Sequence, residues 1–208
     1  MNYNKLQAVT RNKKVVGVGI NDAPYPVLRR DGDKKYTCPK YAMWCRMLAR
    51  CYDSLTHTRQ PTYVGCLVCD EWLLFSNFLS WLESQDWQNK QLDKDLLRRD
   101  NRLYSPDFCC FLTHRVNTFL KDNGNTRGDQ PLWVTYKSHK GLYAANVSDP
   151  LQRYSNYIGS YRCPIKAHKA GKAKKHEYAV ELAEFETDLQ VKTALITRYS
   201  DDTNWLNG

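Results

Sequence analysis

From residue 41 to residue 52 the apolar positions Tyr41, Trp44, Met47, Leu48 and Cys51 recur at spacings of three and four. That is the stripe of an amphipathic helix, with Arg46 and Arg50 on another face. A second stripe, Trp72, Phe75, Phe78, Leu79 and Leu82, predicts a helix through about residue 85, with Asp70 as its cap. Ahead of these, β-branched residues alternate with glycine over 13–20 and read as a short strand or arm. Residues 21–39 read as a loop with turn signals at Pro24, Pro26 and Asp31-Gly32-Asp33. A polar loop runs to Pro61, and 63–69 is a strand or turn. Residues 92–97 have strand length, Arg99-Asp100-Asn101 is a tight turn, and Leu103-Tyr104 begins a return strand. Thr113 caps a short helix containing His114 and Asn117, giving a β-turn-β-α unit.

The periodicity lapses over 122–131, whose Asp, Asn, Gly and Pro content is that of a linker. Beyond it lie three strand-like pieces, 133–136, 142–147 and 157–161, and a helical stretch from Pro164 to about residue 186. The fold class is α+β. The expected organisation is a basic arm (1–40), a core with two leading helices (41–121), the linker (122–131), a three-strand-plus-helix domain (132–190) and a tail (191–208).

Composition narrows the partner. The 208 residues include 31 Lys and Arg against 22 Asp and Glu, a net charge of +9, which points to an acidic polymer and first to nucleic acid. The charge is uneven: residues 1–50 carry +8, 51–100 carry −3, and each later stretch carries +2. An acidic middle suits a divalent cation better than a phosphate backbone. No run approaches a membrane span and the start lacks a signal-peptide core, so the expectation is an intracellular protein with reduced thiols and no membrane partner.

Candidate chemistry gathers in Asp93-Lys94-Asp95, Asn101, His114 and Asn117. Two carboxylates one residue apart on a strand share a face, and a following helix can return Asn117 or His114 beside them. One acid and one amide or imidazole, completed by phosphate oxygens, would suit Mg²⁺ or Mn²⁺ polarising a phosphodiester. The same Asp-Lys-Asp pattern also describes a solvated hairpin face.

The order Trp44…Met47-Leu48…Arg50-Cys51-Tyr52, Pro61…Tyr63…Gly65…Val68-Cys69…Glu71-Trp72…Phe75…Phe78, Leu92-Asp93-Lys94-Asp95…Asn101…Tyr104-Ser105-Pro106…Cys109…Asn117 resembles the HNH-endonuclease-like proteins of tailed phages, over roughly residues 15–120. The resemblance implies a homing-endonuclease-like ββα core that nicks or cuts double-stranded DNA, in the cytoplasm of an infected bacterial host. It implies metal ligands at Asp93 and Asn117, and an orienting amide at Asn101. Lys94 stands where the family's base histidine belongs, so Lys94, Asp95 and His114 are the candidates for catalytic roles. That departure leaves open a catalytically silent DNA-binding regulator, or an inhibitor with a host protein as partner, on the same scaffold.

Trp133-Val134-Thr135-Tyr136, residues 141–147, Ile158-Gly159-Ser160-Tyr161 and the Ala-spaced helix with Ala167, Ala170 and Ala173 resemble the ethylene-response-factor type of DNA-binding domain. This implies a three-stranded antiparallel sheet, packed on a helix and laid in the major groove. Lys137, His139, Lys140, Tyr143 and Arg153 are its candidate contacts, joined by Lys13, Lys14, Arg29 and Arg30 of the arm. The Lys166, Lys169, Lys172, Lys174 and Lys175 cluster is read as touching phosphate. Cys66 and Cys69 have the spacing of half a zinc site, with Cys109 as a third candidate for structural Zn²⁺; buried free thiols are the competing reading.

Overall fold

A computed structural model describes residues 14–121, 129–152 and 154–200. The chain divides into two compact units, 1–111 and 112–208. The division falls ahead of the stretch read as a linker, of which 122–128 lie outside the described residues.

Among the described residues the first unit starts with a closed turn over 15–19, within the stretch read as a short strand or arm. Val15 N–H donates to the Gly19 carbonyl at 2.8 Å, with Val16 at φ 51° and Gly17 at φ 78° reversing the chain. Gly19 lies so close to α-helical side chains that an added Cβ would stand 2.4 Å from Leu48 Cδ1. The supposed loop of 21–39 contains an antiparallel hairpin, β1 (Leu28–Asp31) and β2 (Lys34–Thr37), closed by Gly32 at φ 57°. The Asp-Gly-Asp signal is therefore a hairpin turn.

Pro39 opens α1 (Pro39–Tyr52), which buries Trp44, Met47, Leu48 and Cys51, as its stripe predicts. Asp53 ends α1 and caps α2 (Ser54–Arg59), its carboxylate accepting from Thr56 N–H at 2.9 Å. The polar stretch read as loop is thus helical, because its capping residue is supplied by the end of the preceding helix. The next strand, β3 (Leu67–Val68), leads into a 3₁₀ turn over Asp70–Leu73 and then α3 (Phe75–Glu83). Asp70 caps no α-helix here. Leu74 is extended, and Ile20 pairs with the chain on both sides of it, through Leu73 O and Phe75 N, delaying the helix.

Three short strands follow, β4 (Gln91–Asp93), β5 (Leu103–Tyr104) and β6 (Cys110–Leu112), the last ending one residue past the division at 111. β5 pairs in parallel with β3 rather than returning on β4, whose partner is β6. The core between α1 and α3 is aromatic. Trp44 Nε1 donates to the Trp72 carbonyl at 2.7 Å, and Trp72 meets Phe78 edge to face at 5.2 Å. Each such fully buried ring contributes on the order of 2–3 kcal/mol. Trp44, Trp72 and Trp81 are therefore structural, as their periodicity implies.

The second unit begins with α4 (His114–Phe119), capped as expected by Thr113, whose Oγ1 accepts from Val116 N–H at 3.2 Å. Strands β7 (Val134–Lys137), β8 (Leu142–Ser148) and β9 (Ser155–Tyr161) form a three-stranded antiparallel sheet in sequence order. A register shift falls between Ala145 and Asn146. α5 (Pro164–Ala183) packs on one face through Val134, Ala145 and Ala167. Gly171 permits this approach, since a Cβ there would lie 3.0 Å from Trp133 Cβ. α6 (Leu189–Thr197), capped by Asp188, runs from the end of the expected 132–190 domain into the residues read as a tail and buries Val191 and Leu195. The fold is mixed α+β. Among the described residues no helix is long and apolar enough to cross a membrane.

Candidate functional site

The strand expected over 92–97 stops at Asp93. Its Oδ1 accepts from the backbone N–H groups of Asp95 at 2.9 Å and Leu96 at 2.8 Å, and this side-chain turn competes successfully with further pairing. Asp93 and Asp95 consequently do not alternate along one strand face, which corrects the geometry expected from their spacing. Leu92 and Leu96 anchor the two sides of the turn in the interior.

Lys94 lies between them at 6% exposure. Its Nζ donates to Asp95 Oδ1 at 2.6 Å and to the Asn101 carbonyl at 2.7 Å. Asn101 answers in kind: its Nδ2 donates to the Lys94 carbonyl at 2.9 Å and the Leu103 carbonyl at 2.7 Å, while Oδ1 accepts from Leu103 N–H at 3.1 Å. Asp100, at φ 58°, turns the chain so that the two residues clamp each other. The Lys94 ammonium donates in both of its bonds, to Asp95 and to the Asn101 carbonyl.

The structure therefore brings together Asp93, Lys94, Asp95 and Asn101 in the first unit. His114 and Asn117 stand three apart on α4 in the second unit, and so share a helix face. His114 is exposed, with Nε2 3.5 Å from Thr118 Oγ1, and Asn117 is half-buried. A carboxylate at Asp93 and an amide oxygen at Asn117 are the hard donors that Mg²⁺ or Mn²⁺ prefers. Among the described residues no three His, Cys, Asp or Glu side chains gather as a metal site.

The cysteines Cys66 and Cys109 are buried in the first core, and Cys69 packs against it. Burial pushes the thiols of Cys69 and Cys109 up, and lifts Cys51 to about 12 with Cys66 adding to the effect. In these surroundings the three zinc candidates pack as small hydrophobes. Burial likewise raises the Tyr104 phenol beneath Lys94, keeping that ring neutral.

The basic candidates divide. Lys14, Arg29, Arg30, Lys137, His139 and Lys140 are exposed; Lys13 and Arg153 lie outside the described residues. Tyr143 is half-buried, with its ring 4.9 Å from that of Tyr136 and packed against the α5-facing cluster, so its position is that of a packing residue. The lysine cluster of α5 is not one phosphate-facing surface. Lys172 and Lys175 are buried, and Lys174 pairs with Glu177 at 2.7 Å. Lys175 Nζ donates to the Phe119 carbonyl at 2.6 Å and sits 3.9 Å above the Phe119 ring. That support of α4 went unread in the sequence, although Lys175, Tyr178, Ala179 and Leu182 fall on one helical stripe.

Comparison with known proteins finds no matching family model, no matching curated protein and no matching solved structure.

Proposed function

We propose that the chain is a phage-type DNA-binding protein with an HNH-like core acting as a divalent-metal-dependent endonuclease or nickase on duplex DNA. The observation that carries this reading is the reciprocal clamp of Lys94 and Asn101 beside an anchored Asp93. A loop tied at both ends holds a carboxylate in one orientation, as a metal-assisted hydrolase requires. Asp93 would be a holder of Mg²⁺ or Mn²⁺, which when bound supplies a Lewis acid for the scissile phosphate. Asn101 positions the backbone at Lys94, and His114, exposed on α4, is the remaining candidate for moving a proton. The sheet of the second unit, with Lys137, His139 and Lys140 exposed, supports a second grip on DNA of the ethylene-response-factor type.

Supercoiled plasmid incubated with Mg²⁺ or Mn²⁺ tests the reading. Wild type is expected to yield relaxed circles, and Asp93→Ala to lose at least about a hundredfold in rate, in keeping with the several kcal/mol a metal ion supplies. Undiminished nicking by Asp93→Ala would sink it. The second reading, a catalytically silent DNA binder or regulator, is favoured by one observation: both hydrogen bonds of the Lys94 ammonium hold the loop rather than face a substrate. Salt-dependent duplex binding without strand breaks under any divalent ion would select it.

A further inference from the structure

The β1–β2 hairpin is a two-stranded ribbon whose eight strand residues are all exposed. It rises from a fixed base. Val27, just before β1, is buried in the core of the first unit, and its carbonyl accepts from the Cys38 N–H at 2.8 Å, immediately ahead of α1. The ribbon is thus mounted on the core while its own side chains meet solvent.

Its charges are arranged in a way that stability alone does not favour. Register places Arg30 directly opposite Lys35, and Arg29 opposite Tyr36. Residues directly opposite point to the same face, so Arg30 and Lys35 form a like-charged pair, a destabilising combination in an isolated ribbon. The other face carries Arg29, 5.4 Å from the Tyr36 ring, and the opposite-charged pair Asp31 and Lys34. A ribbon whose charges served only to keep its edges soluble could pair opposite signs on both faces. Here one face does so and the other does not.

We propose that the Arg30/Lys35 face of the β1–β2 hairpin is a docking surface for duplex DNA, with the ribbon lying along the major groove and the two cations against phosphates. The inference rests on the DNA-binding reading above and extends it to an element outside the clamp and outside the three-stranded sheet. The dimensions suit it: a major groove about 12 Å wide admits a two-stranded ribbon, whereas the deep, narrow major groove of A-form RNA does not. Phosphates on either side of Arg30 and Lys35 would remove the repulsion that the free protein retains.

The test uses the full chain and a fluorescein-labelled DNA duplex, with anisotropy followed across a salt series. For the double variant Arg30→Ala/Lys35→Ala the expected result is binding weaker by about tenfold, with the slope of log affinity against log salt shallower by about two. Its melting temperature should be unchanged or higher, because a repulsive pair has been removed; this separates a lost contact from a damaged fold. Arg30→Lys should restore most of the affinity when Lys35 is kept. If wild type binds DNA and the double variant binds equally well with the same salt slope, the hairpin proposal is overturned while the DNA-binding reading stands. If wild type binds no duplex DNA, both fall. Equal binding to an RNA duplex, with equal sensitivity to the double variant, would overturn the placement in the DNA groove.

Discussion

Lys94 in the first unit and Lys175 in the second both lie buried, where a basic protein would ordinarily expose its lysines, and they are held by different chemistry. Lys94 is held by a half-exposed carboxylate, Asp95, and by the Asn101 carbonyl, with the Tyr104 ring 5.9 Å away. Lys175 donates to the Phe119 carbonyl in the last turn of α4 and lies over two rings, Phe119 at 3.9 Å and Tyr199 at 5.6 Å. The first fixes an irregular loop through a reciprocal exchange with Asn101. The second stabilises a helix of six residues, too short to persist alone, by giving its C-terminal end a cation. Each lysine supports the segment that carries a candidate ligand, Asp93 in one unit and Asn117 in the other. Each of these two lysines ties down backbone of its own unit, Lys94 with an amide partner and Lys175 with an aromatic one.

The Lys94 tie is weakest to loss of its amide partner, Asn101. Asn101→Ala removes three hydrogen bonds and leaves the Lys94 and Leu103 backbone groups without those partners, so a loss of about 3 kcal/mol is expected on urea unfolding. Lys175→Met keeps much of the side-chain length but removes the cation, and should cost about 2 kcal/mol, read by the same unfolding transition. Lys94→Met should cost less, about 1 kcal/mol, because the Asp95 side chain is 47% exposed and can turn to water. If Lys94→Met proved costlier than Lys175→Met, the carboxylate rather than the aromatic faces would be the stronger partner, and the ranking of the two ties would reverse.

Periodicity revealed most of the regular structure and little of the loop chemistry. α1 and the sheet of the second unit follow their stripes and turn signals closely, since burial on a repeating face is a local pattern. The hairpin at 28–37, α2 and α6 were hidden because each is polar or short and takes its boundaries from a turn or cap: Gly32, Asp53 and Asp188. The candidate residues Asp93, Lys94 and Asn101 were legible by type and order. Their arrangement was not, because a strand pattern assigns Asp93 and Asp95 to one face, whereas the Asp93 carboxylate ends the strand by capturing two backbone N–H groups. Likewise the α5 lysines look alike in the sequence, and only packing separates exposed Lys166 and Lys169 from buried Lys172 and Lys175.

The smallest effect in energy gives the finest contrast between the units, and it concerns thiols. In the first unit burial lifts Cys51 to about 12 and pushes Cys109 up as well, so both remain protonated across the neutral range. In the second unit Cys163 precedes α5, and the N–H groups of Lys166 and Ile165 pull its thiol below the ordinary value. Thiolate is the nucleophile, so an aromatic disulfide reagent should modify Cys163 first at neutral pH, with Cys51 and Cys109 reacting only after denaturant is added. The rate at Cys163 should climb as pH rises and level off earlier than for an unperturbed thiol. Peptide mapping of the first modified site reads the order directly. Early labelling of Cys51 or Cys109 in the native protein would mean that the first core opens far more readily than its packing around Trp44 and Trp72 implies.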